Sequence, residues 1–131
     1  MTTATATTIS AHEVPANRRR GGDVRTVLSP ATVGATSGFM GTVHMKPGEV
    51  ITEHFHPYSE EFLFLVTGRI TVRLAGVPTT LCAGSGIFIP IGTRHRLHNE
   101  SDEPAFCVFH LGPLAPRPDL GHVDTESLPA S

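Results

Sequence analysis

Lysine is almost absent from this chain. Its 131 residues contain a single Lys, and 10 Lys+Arg stand against 12 Asp+Glu for a formal net charge of −2. A nucleic-acid face needs a basic patch or stripe. The densest basic runs, Arg18-Arg19-Arg20 and Arg94-His95-Arg96, are too short to provide one. Long apolar runs are missing as well, with nothing near the ~20 residues that a membrane-spanning helix requires. Neither nucleic acid nor membrane is therefore expected as a partner. The opening MTTATATTIS has no charged segment leading into an apolar stretch, so it does not read as a secretory signal, and the expected location is the cytoplasm. Cysteine is scarce too: Cys82 and Cys107 lie far apart and form no Cys-x-x-Cys. Without an export signal they are expected as buried thiols rather than a disulfide.

Helical periodicity is nearly missing after the first residues. Short β-branched and aromatic runs take its place near 24–28, 38–46, 50–56, 61–66, 69–75, 78–82, 87–89, 94–99 and 105–111, separated by Gly- and Pro-bearing breaks. Many short strands at regular spacing predict an all-β sandwich or barrel. Residues 1–17, rich in Thr and Ala, are expected to be a flexible segment with Ile9 as an early anchor. Residues 18–112 are expected to form one barrel domain. The tail 113–131, with four prolines at 113, 116, 118 and 129, is expected to run as irregular coil.

Histidine is the residue in surplus, with 8 in the chain, at 12, 44, 54, 56, 95, 98, 110 and 122. It is the commonest metal ligand and titrates near neutrality. In a strand, residues i and i+2 share a face, so His54 and His56 project together. The wider spacing is more specific than the pair. Five residues separate Gly48 from His54, one separates His54 from His56, four lead to Glu61 and six more to Gly68. Downstream, five residues separate Gly84 from Pro90, one leads to Gly92, two to His95 and three to Asn99.

The blocks GEVITEHFHPYSEEFLFLVTG and GSGIFIPIGTRHRLHN resemble the two signature motifs of the cupin superfamily, matching every fixed position. The resemblance implies a single-domain antiparallel jelly-roll barrel with a metal in its mouth, held by His54, His56, Glu61 and His95. Three imidazoles and a carboxylate suit one divalent transition metal per chain, with zinc favoured and Fe, Ni or Mn as alternatives. The six-residue step to Gly68 selects Glu61 over Glu60, and alternation turns Glu60 away, along with Phe62, Phe64 and Val66.

The other histidines are placed by register. Pro47-Gly48 reads as a two-residue turn, and a tight hairpin there would pair Gly41 with His54 and put His44 on the face opposite the site. His98, three residues after His95, falls on the outer face. His12 and His122 lie in the ends, away from the site. His110 has two readings: a satisfied core histidine, or a residue at the mouth acting as a further ligand or a base. The tendency of consecutive strands to be neighbours favours the mouth.

A narrower likeness covers about Ile9 to Glu126. NRRRGGDVRTVLSPATVGATSGFMGTV, EHFHPYSEEFLFLVTG and FHLGPLAPRPDLGHVDTE are similar to the small cupin-type cyclases of actinomycete aromatic (type II) polyketide pathways. That likeness implies a metal-dependent cyclase directing aldol cyclisation and aromatisation of a poly-β-ketone chain carried on an acyl carrier protein. A Lewis-acidic metal would polarise a ketone, and His110 would take the proton. Phe39, Met40, Leu63 and Leu65 would provide an apolar lining. Two alternatives stand beside it: a cupin dioxygenase or oxygenase acting on an aromatic polyketide, for which the same ligands would serve, and a non-catalytic subunit of a synthase–cyclase complex. The apolar 62/64/66 face is expected to support a homodimer.

Overall fold

A computed structural model describes residues 6–128. The expected strands all form, as β1 (Asp23–Leu28), β2 (Phe39–Met45), β3 (Val50–Phe55), β4 (Glu60–Thr67), β5 (Arg69–Leu74), β6 (Val77–Cys82), β7 (Ser85–Ile89), β8 (His95–His98) and β9 (Ala105–Gly112). A tenth strand, β10 (Val123–Asp124), lies in the tail. Two five-stranded antiparallel sheets result, in the orders β1-β2-β9-β4-β7 and β10-β3-β8-β5-β6. A single α-helical turn, α1 (Pro30–Val33), links β1 to β2 and is capped by Ser29, whose hydroxyl accepts from the Thr32 amide. No helix among the described residues is long and apolar enough to cross a membrane.

Alternation explains how the sheets pack. In β4, Glu61, Leu63 and Leu65 are buried while Phe62, Phe64 and Val66 are exposed. In β9, Ala105, Cys107, Phe109 and Leu111 turn inward. They meet Ile70, Val72, Leu81 and Leu97 of the other sheet in one continuous core. Each fully buried Leu, Ile or Val contributes about 1.5–3 kcal/mol over leaving it in water, which locks the register, since a one-residue slip would turn every such side chain to solvent. Gly68 sits at φ 89°, and a Cβ there would come within 2.6 Å of the Pro104 carbonyl, so the β4–β5 corner accepts only glycine.

Four expectations are corrected. Pro47-Gly48 does not close a hairpin. The turn carries the chain between sheets, so Gly41 pairs with Thr26 and Phe109, while His54 pairs with His95 and Asp124. His44 is exposed as expected, stacked on Phe106 with ring centroids 4.5 Å apart, but through the β2–β9 pairing. The tail is not coil alone, because β10 extends the second sheet along β3. Ahead of the barrel, Ala11–Glu13 forms a 3-10 turn whose carbonyls at Ala11 and, just beyond, Val14 accept from Arg25, and Asn17 bridges to Val24. Of the two cysteines, which are both free, Cys107 is buried but Cys82 is exposed on an edge strand.

Candidate metal centre

His54 and His95 face each other across the β3–β8 pair, with ring centroids 4.4 Å apart. The pairing register shifts between Ile51 and His54, a bulge-like irregularity that re-aims the end of β3. His56, just past β3, places its ring 5.0 Å from His54 and 5.2 Å from His95. One nitrogen from each of the three rings falls within 4.8 Å of the others. Glu61 reaches the same point from β4 in the facing sheet, with Oε1 3.3 Å from His56 Nε2 and 3.6 Å from His95 Nε2.

Each ring is held by its other nitrogen. The Nδ1 atoms of His54, His56 and His95 lie 2.8, 3.0 and 2.9 Å from the carbonyl oxygens of Thr52, Gly121 and Thr93. A carbonyl only accepts, so Nδ1 carries the proton in all three and Nε2 is left with a lone pair facing the centre. His95 Nε2 is buried without a hydrogen-bond partner, since 3.6 Å to Glu61 is an electrostatic contact and not a hydrogen bond. An orphaned buried nitrogen carries a desolvation cost that a metal–nitrogen bond would remove. With two further imidazoles and a carboxylate beside it, the residues fit a divalent transition metal.

The electrostatics agree with that fit. Burial, helped by the nearby His95, pushes His54 down to about 3, so its ring is neutral and available as a ligand. Burial raises Glu61, but His56 and His95 outweigh it and hold the carboxyl at about 2. Burial lowers His95, yet Glu61 overcomes this and leaves it above its ordinary value. Beneath them, burial and the Glu61 charge push the Cys107 thiol up to about 12, which keeps it protonated and inert.

Of the five expected site residues, the structure brings together His54, His56, Glu61 and His95 and leaves out His110. Its neighbours Phe109 and Leu111 are buried, so alternation puts His110 on the outer face of the first sheet. There it pairs between Met40 and Phe62 and stacks on the Phe62 ring at 6.2 Å. It is neither a ligand nor a base for this centre. The reason is topological: β9 inserts between β2 and β4 and does not neighbour β8. Met40 is exposed on the same outer face, while Leu63 and Leu65 are core. His98 lies on the outer side of β8, 3.5 Å from Glu100, as expected.

The motifs give no hint of Gly121. Its carbonyl orients His56 from 65 residues away. The one available signal is the pairing of Arg19 and Arg20 with Asp124 of the tail, and it is not specific.

Comparison with known proteins agrees with this geometry. A cupin domain matches residues 41–111, more than half of the chain. The chain belongs to the cupin family. This cupin is 58% identical to Protein SchB of Streptomyces halstedii, over 96% of the chain and 91% of that protein. It is 59% identical to the polyketide synthase CurC of Streptomyces cyaneus over 91% of the chain and 77% of that protein. To the tetracenomycin polyketide synthase protein TcmJ of Streptomyces glaucescens it is 46% identical, over 98% and 86%. Among solved structures, a conserved protein with a double-stranded β-helix domain from Klebsiella pneumoniae superposes with a TM-score of 0.73 at 21% identity, covering 94% of this chain and all of that one. At that identity the likeness speaks for the fold alone.

Proposed function

We propose that this cupin is a metal-dependent cyclase of an aromatic polyketide pathway, directing aldol cyclisation and aromatisation of a poly-β-ketone held on an acyl carrier protein. The observation that carries the metal half is the convergence of three imidazole nitrogens within 4.8 Å, each ring fixed through Nδ1. The polyketide half is supported by relatives at 46–59% identity, two of them named as polyketide synthase proteins. A cytoplasmic site of action belongs to the same proposal. The centre would hold one divalent transition metal, zinc favoured, through His54, His56 and His95, with Glu61 at the fourth position. Such an ion supplies Lewis acidity to a ketone oxygen and to the enolate next to it.

The protein's own residues supply the rest. His54 and His95, locked by Thr52 and Thr93, fix the direction from which a carbonyl can approach. Among the described residues, Glu61 is the only carboxylate whose oxygen lies against two of the rings. Its low proton affinity suits it better to holding the ligand set's charge balance than to acting as a strong base. Leu63, Leu65 and Phe109 line the barrel behind the rings and exclude water there.

The test is the product profile of a reconstituted polyketide pathway with and without this protein, read beside oxygen uptake. Cyclised product that needs the wild type and disappears with His54→Ala or His95→Ala supports the cyclase. Stoichiometric oxygen consumption would replace it with an oxygenase. A profile indifferent to the two variants would leave a structural subunit.

A further inference from the structure

The three ligand histidines are not oriented in the same way. His54 and His95 each bond the carbonyl two residues upstream in their own strand, Thr52 and Thr93. Those contacts form with the strands and persist as long as the barrel does. His56 lies beyond the end of β3, and its Nδ1 is held by the Gly121 carbonyl, 65 residues later, and not by its own strand. The position of the third ring therefore depends on where the tail lies.

The tail is fastened by identifiable ties. Arg20 Nε reaches Asp124 Oδ1 at 2.6 Å and Arg19 Nη2 reaches Asp124 Oδ2 at 3.3 Å. The Thr125 amide donates to the Glu53 carbonyl at 3.0 Å, and the Thr125 hydroxyl to the Glu53 carboxylate at 2.8 Å. Glu126 accepts from the Glu53 amide at 2.8 Å and from Arg96 Nε at 3.0 Å. Asp124 stands directly opposite His54 in the β10–β3 register. All of this serves a strand of two exposed residues with no buried apolar anchor. A segment held by ion pairs that still reach solvent and by a short ladder opens far more easily than the core. Its docked population is thus open to influence from whatever else binds the residues it touches.

We infer that the segment Pro118–Glu126 is a strap coupled to the metal centre: docking it sets His56 as a ligand, and a metal bound there holds the strap down. Gly121 is the positioning residue, acting through the His56 ring. Coupling of this kind is reciprocal, so any factor by which docking strengthens metal binding must equal the factor by which the metal stabilises docking. Loss of a hydrogen bond that orients a ligand histidine typically weakens a metal site about 10–100-fold. The inference rests on the metal reading above and extends it to a part of the chain outside both motifs.

The experiment uses the full-length protein with zinc alone. Amide exchange is followed at Thr125, whose N–H exists as a hydrogen bond only with the strap docked, and zinc affinity is measured by competition with a chromophoric chelator. Zinc should raise the protection of Thr125 and of the amides around it. Asp124→Arg, which sets like charges against Arg19 and Arg20, should weaken zinc binding about 10–100-fold while the metal-free melting temperature stays near the wild-type value. Adding Arg20→Glu to Asp124→Arg restores an ion pair and should recover most of the lost affinity. Zinc bound with no change at Thr125 overturns the coupling, as does an Asp124→Arg variant of wild-type affinity. A wild type that takes up no zinc at all overturns the metal reading as well, and is told apart by that result. Should Asp124→Arg fail to fold, exchange in the wild type with and without zinc still decides.

Discussion

A neutral imidazole binds a metal and a protonated one does not, so the state of each ligand ring decides what metal uptake costs. At neutral pH His54 is already deprotonated, held at about 3 chiefly by burial. His95 differs. Glu61 holds its proton affinity above the ordinary imidazole value against the opposing pull of burial. In the metal-free protein, a raised histidine gives stability that is fully present below the ordinary pKa and lost as pH rises through its native one. The metal acts in the opposite direction and must displace that proton. Zinc binding is therefore expected to release protons, part of them from His95 and more as pH falls, measured by calorimetry in two buffers of different ionisation enthalpy. Glu61→Gln removes the group that raises His95 and should reduce the release. An unchanged release in Glu61→Gln would mean that Glu61 does not control the ring. The four clustered residues are legible in the sequence because they stand at fixed positions of the two blocks that resemble the cupin motifs. His110 was misread because its orientation depends on which strand β9 joins, and the Glu100–Pro104 connection takes it to the other sheet.

At the scale of elements, nine of ten strands announce themselves as short β-branched or aromatic runs between turn residues. β10 does not, because its two residues are both exposed and carry no pattern. Its place is set by partners more than 100 positions away, Arg19 and Arg20, and no local signal encodes them. Those partners also give the strap a pH dependence. Asp124 and Glu126 are held below their ordinary values, since Arg20 and Arg96 outweigh the effect of burial. A depressed carboxylate contributes stability above its unfolded pKa and loses it as pH falls through the native one. His122, inside the same segment, is lowered first by burial and then by Arg20. It resists protonation, and acid that forces a proton onto it works against docking from below its ordinary value of 6.5. Both effects have the same sign. Thr125 amide protection, corrected for intrinsic exchange, should decline in two stages, first below about pH 6.5 and again below about pH 4, while core amides such as Leu65 hold. Uniform protection from pH 7 down to well below about pH 4 would show that these charges do not hold the strap.

The whole molecule has one feature that neither the barrel nor the metal centre uses. The outer face of the first sheet presents Phe62, Phe64 and Val66 from β4, Phe88 from β7 and Met40 from β2, each at least 38% exposed. Phe106, Val108 and His110 of β9 lie between them. None of these side chains is Asp, Glu, Lys or Arg. Phe62 packs on Phe88 at 5.8 Å and on His110 at 6.2 Å, so the surface is a continuous aromatic shelf and not scattered single residues. Contiguous apolar patches of this kind mark association surfaces in soluble proteins. Glu60 stands at one end of the same β4 face, so the centre of the patch carries no fixed charge, and a two-fold axis through Phe62 and Phe64 sets that centre against itself. We therefore propose that two copies of this cupin associate through this face, and that the metal centres, inside each barrel, stay independent. Phe62→Arg and Phe64→Glu, each placing a charge in the middle of the shelf, should convert a dimer to a monomer in size-exclusion chromatography with light scattering, while zinc content and the strand signature in circular dichroism are retained. A wild type that is monomeric at high micromolar concentration, or variants that remain dimeric, would move the interface elsewhere and leave the shelf free for a different protein of the pathway.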